Sequence, residues 1–147
     1  MSLTTIFRPD HARYEGVRPI NIWLLRALYL LMAVFVAPYA WGVLLRHEGP
    51  WQPVQAIAFC IWATYPLLAI LGLLNPLRML PIMLFAVGYK VLWLTFVAFP
   101  LWQANALIGS PAEQMARDFM WTPLAIVAVP WGYVFRKFVL PARRLTA

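Results

Sequence analysis

Lys90 stands in the middle of an apolar run, 77–102, with about a dozen residues on either side. On a helix, at 1.5 Å per residue, that places it about 18 Å from each end. A lysine stem does not comfortably reach water over such a distance. An ammonium at the centre of a bilayer costs at least a few kcal/mol on insertion scales. Lys90 is therefore expected to face the interior of a bundle and to have a partner there. Three chemistries satisfy it. Desolvation can hold it neutral. Hydroxyls and freed carbonyls can solvate it; Thr64 and Tyr65 lie at similar depth on the preceding run, and Pro66 exposes backbone oxygen. Or its counter-charge comes from a bound anion, a lipid or quinone oxygen, or an acid of another subunit. The chain's five acids, Asp10, Glu15, Glu48, Glu113 and Asp118, all lie outside the apolar runs.

The residues around Lys90 define a candidate ligand site. Trp93 is one turn away on the same face and suits cation–π contact. Ala86, one turn the other way, leaves room for part of a flat ring or for a close helix contact. Tyr89 points about 100° away around the helix. Lys90, Tyr65, Thr64 and Trp93 form the expected ligand-binding set, with a quinone or lipid as the possible occupant.

Four apolar runs, about 20–45, 51–74, 77–102 and 121–140, position these residues. Each is near or above the roughly 20 residues that a helix needs to cross hydrocarbon. None alternates as a barrel strand would, and backbone in lipid must pair within its own segment. The expected fold is all-α: a four-transmembrane-helix antiparallel bundle in one domain. Composition agrees, with 63% hydrophobic and 12% charged residues in 147. A soluble chain is about half apolar and a quarter charged, and a small globule has too little interior to hide the excess.

The connections carry turn chemistry. Residues 46–50 read RHEGP, and Asn75-Pro76 marks a tight hairpin with Arg78 just beyond. The loop 103–120 is the longest. Within it Ser110-Pro111-Ala112-Glu113 fits a capping box, Glu113 and Arg117 sit four apart, and Met115 and Phe119 share a face. A short interfacial helix before the fourth span is expected there. Each run contains proline, and ordinary bundle shaping accounts for it; the functional alternative is that Pro66 and Pro130 loosen the bundle centre to admit a ligand.

Charge sets orientation. Arg8, Arg13 and Arg18 in the segment 1–19, Arg78 in the hairpin, and Arg136, Lys137, Arg143 and Arg144 at the other end share one side, against Arg46 and Arg117. The positive-inside rule puts both termini, including the basic tail 141–147, in the cytoplasm. Arg26 snorkels to the same side. Trp41, Trp51, Trp102 and Trp121 mark the outer interface and Trp23 the inner one. The +7 net charge is then explained by orientation and by contact with anionic lipid, not by nucleic acid. The first 18 residues carry five charges and precede a full-length apolar run, so an uncleaved anchor is expected, not a signal peptide.

Several activities lack their residues. His11 and His47 fall on opposite sides of the membrane and cannot share a metal or a haem. Cys60 is the one cysteine, so no internal disulfide or CxxC pair exists. No HExxH, phosphate loop, GxGxxG or GxSxG occurs. A proton-coupled antiporter would need an acid within a span.

The hairpin Leu73-Leu74-Asn75-Pro76-Leu77-Arg78, then Pro81, then Tyr89-Lys90 with Trp93, resembles small four-helix bacterial inner-membrane proteins of the DoxX-like kind over 66–102. The resemblance implies a four-helix bundle and, for some members, association with membrane redox or quinone chemistry. Three functions are therefore carried forward. One is a non-enzymatic accessory or assembly subunit of a larger membrane complex, or a self-associating protein. Another is a quinone-, lipid- or anion-binding protein with a pocket at Lys90. The last is a small transporter.

Overall fold

The computed structural model describes residues 6–140. The basic tail 141–147, with Arg143 and Arg144, lies outside the described residues. Among those described the chain is helices and turns without strands. They are α1 (His11–Tyr14), α2 (Pro19–Arg46), α3 (Pro53–Leu74), α4 (Leu80–Gln103), α5 (Glu113–Phe119), α6 (Thr122–Ala128) and α7 (Trp131–Val134), the last prolonged by a π turn, Phe135–Val139. Three of them, α2, α3 and α4, are long and apolar enough to cross a membrane, at 28, 22 and 24 residues.

The fourth apolar run differs from expectation: 121–140 is not one helix. It breaks at Val129 and Pro130, whose ψ values are 125° and 79°. The cause is local. Proline has no N–H for the carbonyl four residues back, and its ring drives the preceding residue out of the helical region. The carbonyls freed by the break are taken by side chains. The Trp131 indole donates to the Ile126 carbonyl at 2.9 Å. Asn21, from the first turn of α2, donates to Ala128 at 3.0 Å and reaches Val127 at 3.5 Å.

Proline also shapes α2 and α4. Each contains one π turn, Met32–Val36 and Leu94–Ala98. Each of these turns closes on the residue just before a proline. Ala37, before Pro38, donates to Met32, and Phe99, before Pro100, donates to Leu94. The turn at Phe135–Val139 closes in the same way, through Leu140, whose sequence neighbour is Pro141. A proline ring collides with the carbonyl of the preceding turn, and widening that turn relieves the collision. Pro66, by contrast, sits inside an uninterrupted α3.

Helices α2 and α3 pack along their length, and α6 lies against both α2 and α4. The Trp41 indole ties α2 to α3 through the Ala63 carbonyl at 3.2 Å. The core joins Ile22, Leu25 and Tyr29 of α2, Tyr65 and Ala69 of α3, Leu80, Met83 and Ala86 of α4, and Val129 and Tyr133 beyond α6. Before α2, Asp10 caps α1 and pairs with Val17 across a turn that carries Glu15 and Gly16 at positive φ. This turn meets the far end of the chain, where Tyr133 and Lys137 both donate to Glu15 at 3.4 Å.

Candidate functional site

Lys90 lies ten residues from the start of α4 and thirteen from its end, or about 15 Å and about 20 Å along the axis. It is half-buried beside a cavity of about 300 Å³. The walls are Phe35, Val36 and Tyr39 of α2, Trp62 and Tyr65 of α3, Tyr89 of α4, and Met115, Asp118 and Phe119 of α5. The two π turns border it: Phe35 and Val36 belong to the one in α2, and α5 rests on the one in α4. The prolines that shape this site are thus Pro38 and Pro100, not the Pro66 and Pro130 singled out by sequence.

α5 builds the cavity's remaining wall. Its start is held much as a capping box would hold it. Ser110 Oγ accepts from the Ala112 amide at 3.2 Å, and Glu113 reaches back to the Gly109 amide at 2.7 Å. Glu113 also pairs with Arg117 at 2.6 Å, and Gln114 donates to Asp118 at 3.1 Å. The helix folds back along α4. Phe119 meets Trp93 edge-on, with centroids 5.3 Å apart, and Tyr89 at 5.7 Å. The loop 103–120 therefore brings an acid, Asp118, to the cavity that Lys90 lines.

Within the site Lys90 Nζ lies 5.4 Å from the centre of the Phe119 ring and 5.9 Å from that of Tyr89, both at cation–π range. It makes no ion pair within 4.0 Å among the described residues. The hydroxyls of Tyr65 and Tyr89 bond to each other at 3.2 Å. The cavity thus offers an ammonium, a carboxylate and two linked phenols among walls that are mostly aromatic.

Of the four residues expected at the site, Lys90 and Tyr65 share the cavity. Trp93 lines a neighbouring cavity of about 590 Å³, which shares Trp62, Tyr89, Met115 and Phe119 with the first. Thr64 is turned away: it is exposed on the outer side of α3, and its hydroxyl bonds back to the Cys60 carbonyl at 2.8 Å. Ala86 is buried in the core and serves close helix contact. Tyr89, Phe119 and Asp118 are the residues missed. The Met115–Phe119 spacing signalled a shared face, but not that the face turns toward Lys90.

The aromatic markers divide as well. Trp23 and Trp102 are largely exposed. Trp51 stacks on His47 at 3.5 Å, and Trp41 serves the α2–α3 bond described above. Trp121 is exposed but follows Phe119 by two residues, which places it near the middle of α4. Arg26 lies with its guanidinium 5.4 Å from the centre of the Trp23 ring, toward the start of α2, and its Nε is buried without a partner.

Among the described residues no cluster of His, Cys, Asp and Glu could hold a metal ion. No protein-family pattern, no curated protein and no solved structure matches the chain. Three long apolar helices suit the chain, by length and composition, to an integral membrane protein.

Proposed function

We propose that this chain is a non-enzymatic integral membrane protein that binds a lipid-soluble ligand in the cavity beside Lys90. The ligand class is a flat or amphipathic molecule with acceptor oxygens, such as a quinone or a lipid. The single observation behind this reading is an ammonium at mid-helix, without an ion pair within 4.0 Å among the described residues, on a largely aromatic cavity that also holds the Tyr65–Tyr89 hydroxyl pair. Aromatic walls with a few convergent polar groups are the usual make-up of a small-molecule site. A quinone is also what the DoxX-like resemblance implies. That resemblance finds no support in the comparisons, so the reading rests on the cavity.

In the proposed topology the chain lies in a bacterial inner membrane with both termini inside. The fourth crossing is made by α5 and α6 end to end, over 113–128.

A second reading, an accessory subunit of a larger complex, is favoured by Arg117. Its side chain is 68% exposed on a helix packed beside the outer half of α4, where a partner chain would cover it. The same reading loses the need for an acid from another subunit, because Asp118 brings a carboxylate to the Lys90 cavity from within the chain. A transporter loses one objection, since the proposed crossing carries Asp118, but gains no observation in its favour.

The test is native mass spectrometry of gently solubilised wild type beside Lys90→Met. A quinone- or lipid-sized adduct in wild type, lost in a variant with equal or higher thermal stability, is the expected result. Equal bound mass in both, or a stoichiometric protein partner in place of a small molecule, overturns the ligand reading.

A further inference from the structure

At the opposite end of the molecule from Lys90's outer wall, the break at Val129 and Pro130 leaves a second built feature. The turn Asp10–Val17 folds against α7, and a cavity of about 410 Å³ remains between them. Arg18 and Arg136 both line it, with Asn21, Pro130, Trp131 and Gly132. The nearby acids are already engaged. Asp10 accepts from the amides of Ala12 and Arg13 at 3.0 and 2.9 Å. Glu15 accepts from Tyr133 and Lys137. Neither Arg18 nor Arg136 has an ion pair within 4.0 Å among the described residues. Arg136 donates its Nε–H to the Gly132 carbonyl at 3.1 Å, which fixes the guanidinium and leaves its terminal nitrogens free to donate.

We infer that this cavity is a binding site for the phosphate of an anionic phospholipid, clasped between the Arg18 and Arg136 guanidiniums. Arginine presents a planar fork that matches phosphate oxygens two at a time. Two such forks on one cavity, without competing carboxylates, favour a single anionic group. A lipid source follows from the surroundings. Val127 and Trp131, both exposed large apolar residues, line the cavity, and they offer the acyl chains a surface that free phosphate would not use. The break itself is the reason the site exists: a continuous helix through residue 130 would pair its own carbonyls and would not need Asn21 or the bend. The inference is independent of any ligand at Lys90.

The experiment titrates dioleoyl phosphatidylglycerol, dioleoyl phosphatidylcholine and inorganic phosphate into delipidated protein in detergent. Native mass spectrometry counts bound lipid and thermal unfolding reports affinity. Wild type should retain one phosphatidylglycerol and prefer it about tenfold over phosphatidylcholine. Arg18→Gln/Arg136→Gln should lose that preference. Arg13→Gln, an exposed cation outside the cavity, should keep it. Arg18→Lys/Arg136→Lys preserves charge and removes the forks; it should bind at least several-fold more weakly, and it decides the matter if the Gln variant does not fold. Wild-type binding in the Lys variant, an equal loss in Arg13→Gln, or equal stabilisation by inorganic phosphate overturns the inference.

Discussion

Lys90 and Gly72 show how single residues are constrained by what they face. The ammonium of Lys90 lies against the Phe119 and Tyr89 rings, in a cavity that also holds Asp118. This arrangement lowers the cost of a cation that lipid would impose. Gly72 is constrained by shape. A Cβ built there would lie 2.6–2.7 Å from the Tyr29 ring. Tyr29 is fully buried and its hydroxyl is tied to the Pro76 carbonyl at 3.1 Å, so the ring has nowhere to move. Gly72→Ala is expected to destabilise by about 1–3 kcal/mol, the usual cost of overpacking, read as a lower unfolding midpoint in detergent. Tyr29→Phe keeps the ring and loses the bond to the hairpin, at about 1 kcal/mol. A Gly72→Ala protein as stable as wild type would mean that α2 and α3 are looser than this contact requires.

At the scale of the element, proline decides where helices deviate, and its positions are in the sequence. The three apolar helices start and end within about three residues of the runs read from hydropathy alone, because length and apolarity fix them. The consequence of each proline was not legible. Pro66 leaves α3 whole, Pro38 and Pro100 widen a turn, and Pro130 stops a helix, although all four sit in comparable apolar surroundings. What separates Pro130 is a side chain more than a hundred residues away: Asn21 is there to receive the freed carbonyls. Sequence periodicity carries no record of such a pairing. The dependence can be measured as a double-mutant cycle. Asn21→Leu alone leaves Ala128 unpaired and should cost about 1–3 kcal/mol. In a Pro130→Ala background, where a continuous helix pairs its own carbonyls, the same change should cost far less. An undiminished cost in that background would show that something other than Pro130 holds the break open.

For the molecule as a whole, the same tertiary contacts that the sequence could not display decide how the last third of the chain is threaded. Phe119 lies beside Tyr89 and Trp93, in the middle of α4, and Ala128 lies beside Asn21, at the start of α2. The chain therefore descends through the bundle over 113–128, ahead of the 121–140 window that hydropathy selects. Hydropathy passes over α5 because Glu113, Gln114, Arg117 and Asp118 make it read as loop, whereas two of its charges pair with each other and a third faces the Lys90 cavity. If 113–128 completes a crossing, the turn at Gly109 and the π turn at Lys137 lie on opposite sides of the membrane. Cysteines placed singly at Arg13, Gly109 and Lys137, in a Cys60→Ser background, test this with a membrane-impermeant maleimide. Gly109→Cys should label in intact cells, and Arg13→Cys and Lys137→Cys only in inverted vesicles, as the arginine and lysine count requires for both ends inside. Labelling of Gly109→Cys and Lys137→Cys from the same side would reduce the bundle to three crossings and make α5 and α6 a re-entrant pair. The Lys90 cavity would survive that outcome, because its walls depend on where Phe119 and Asp118 sit and not on where the chain goes after Ala128.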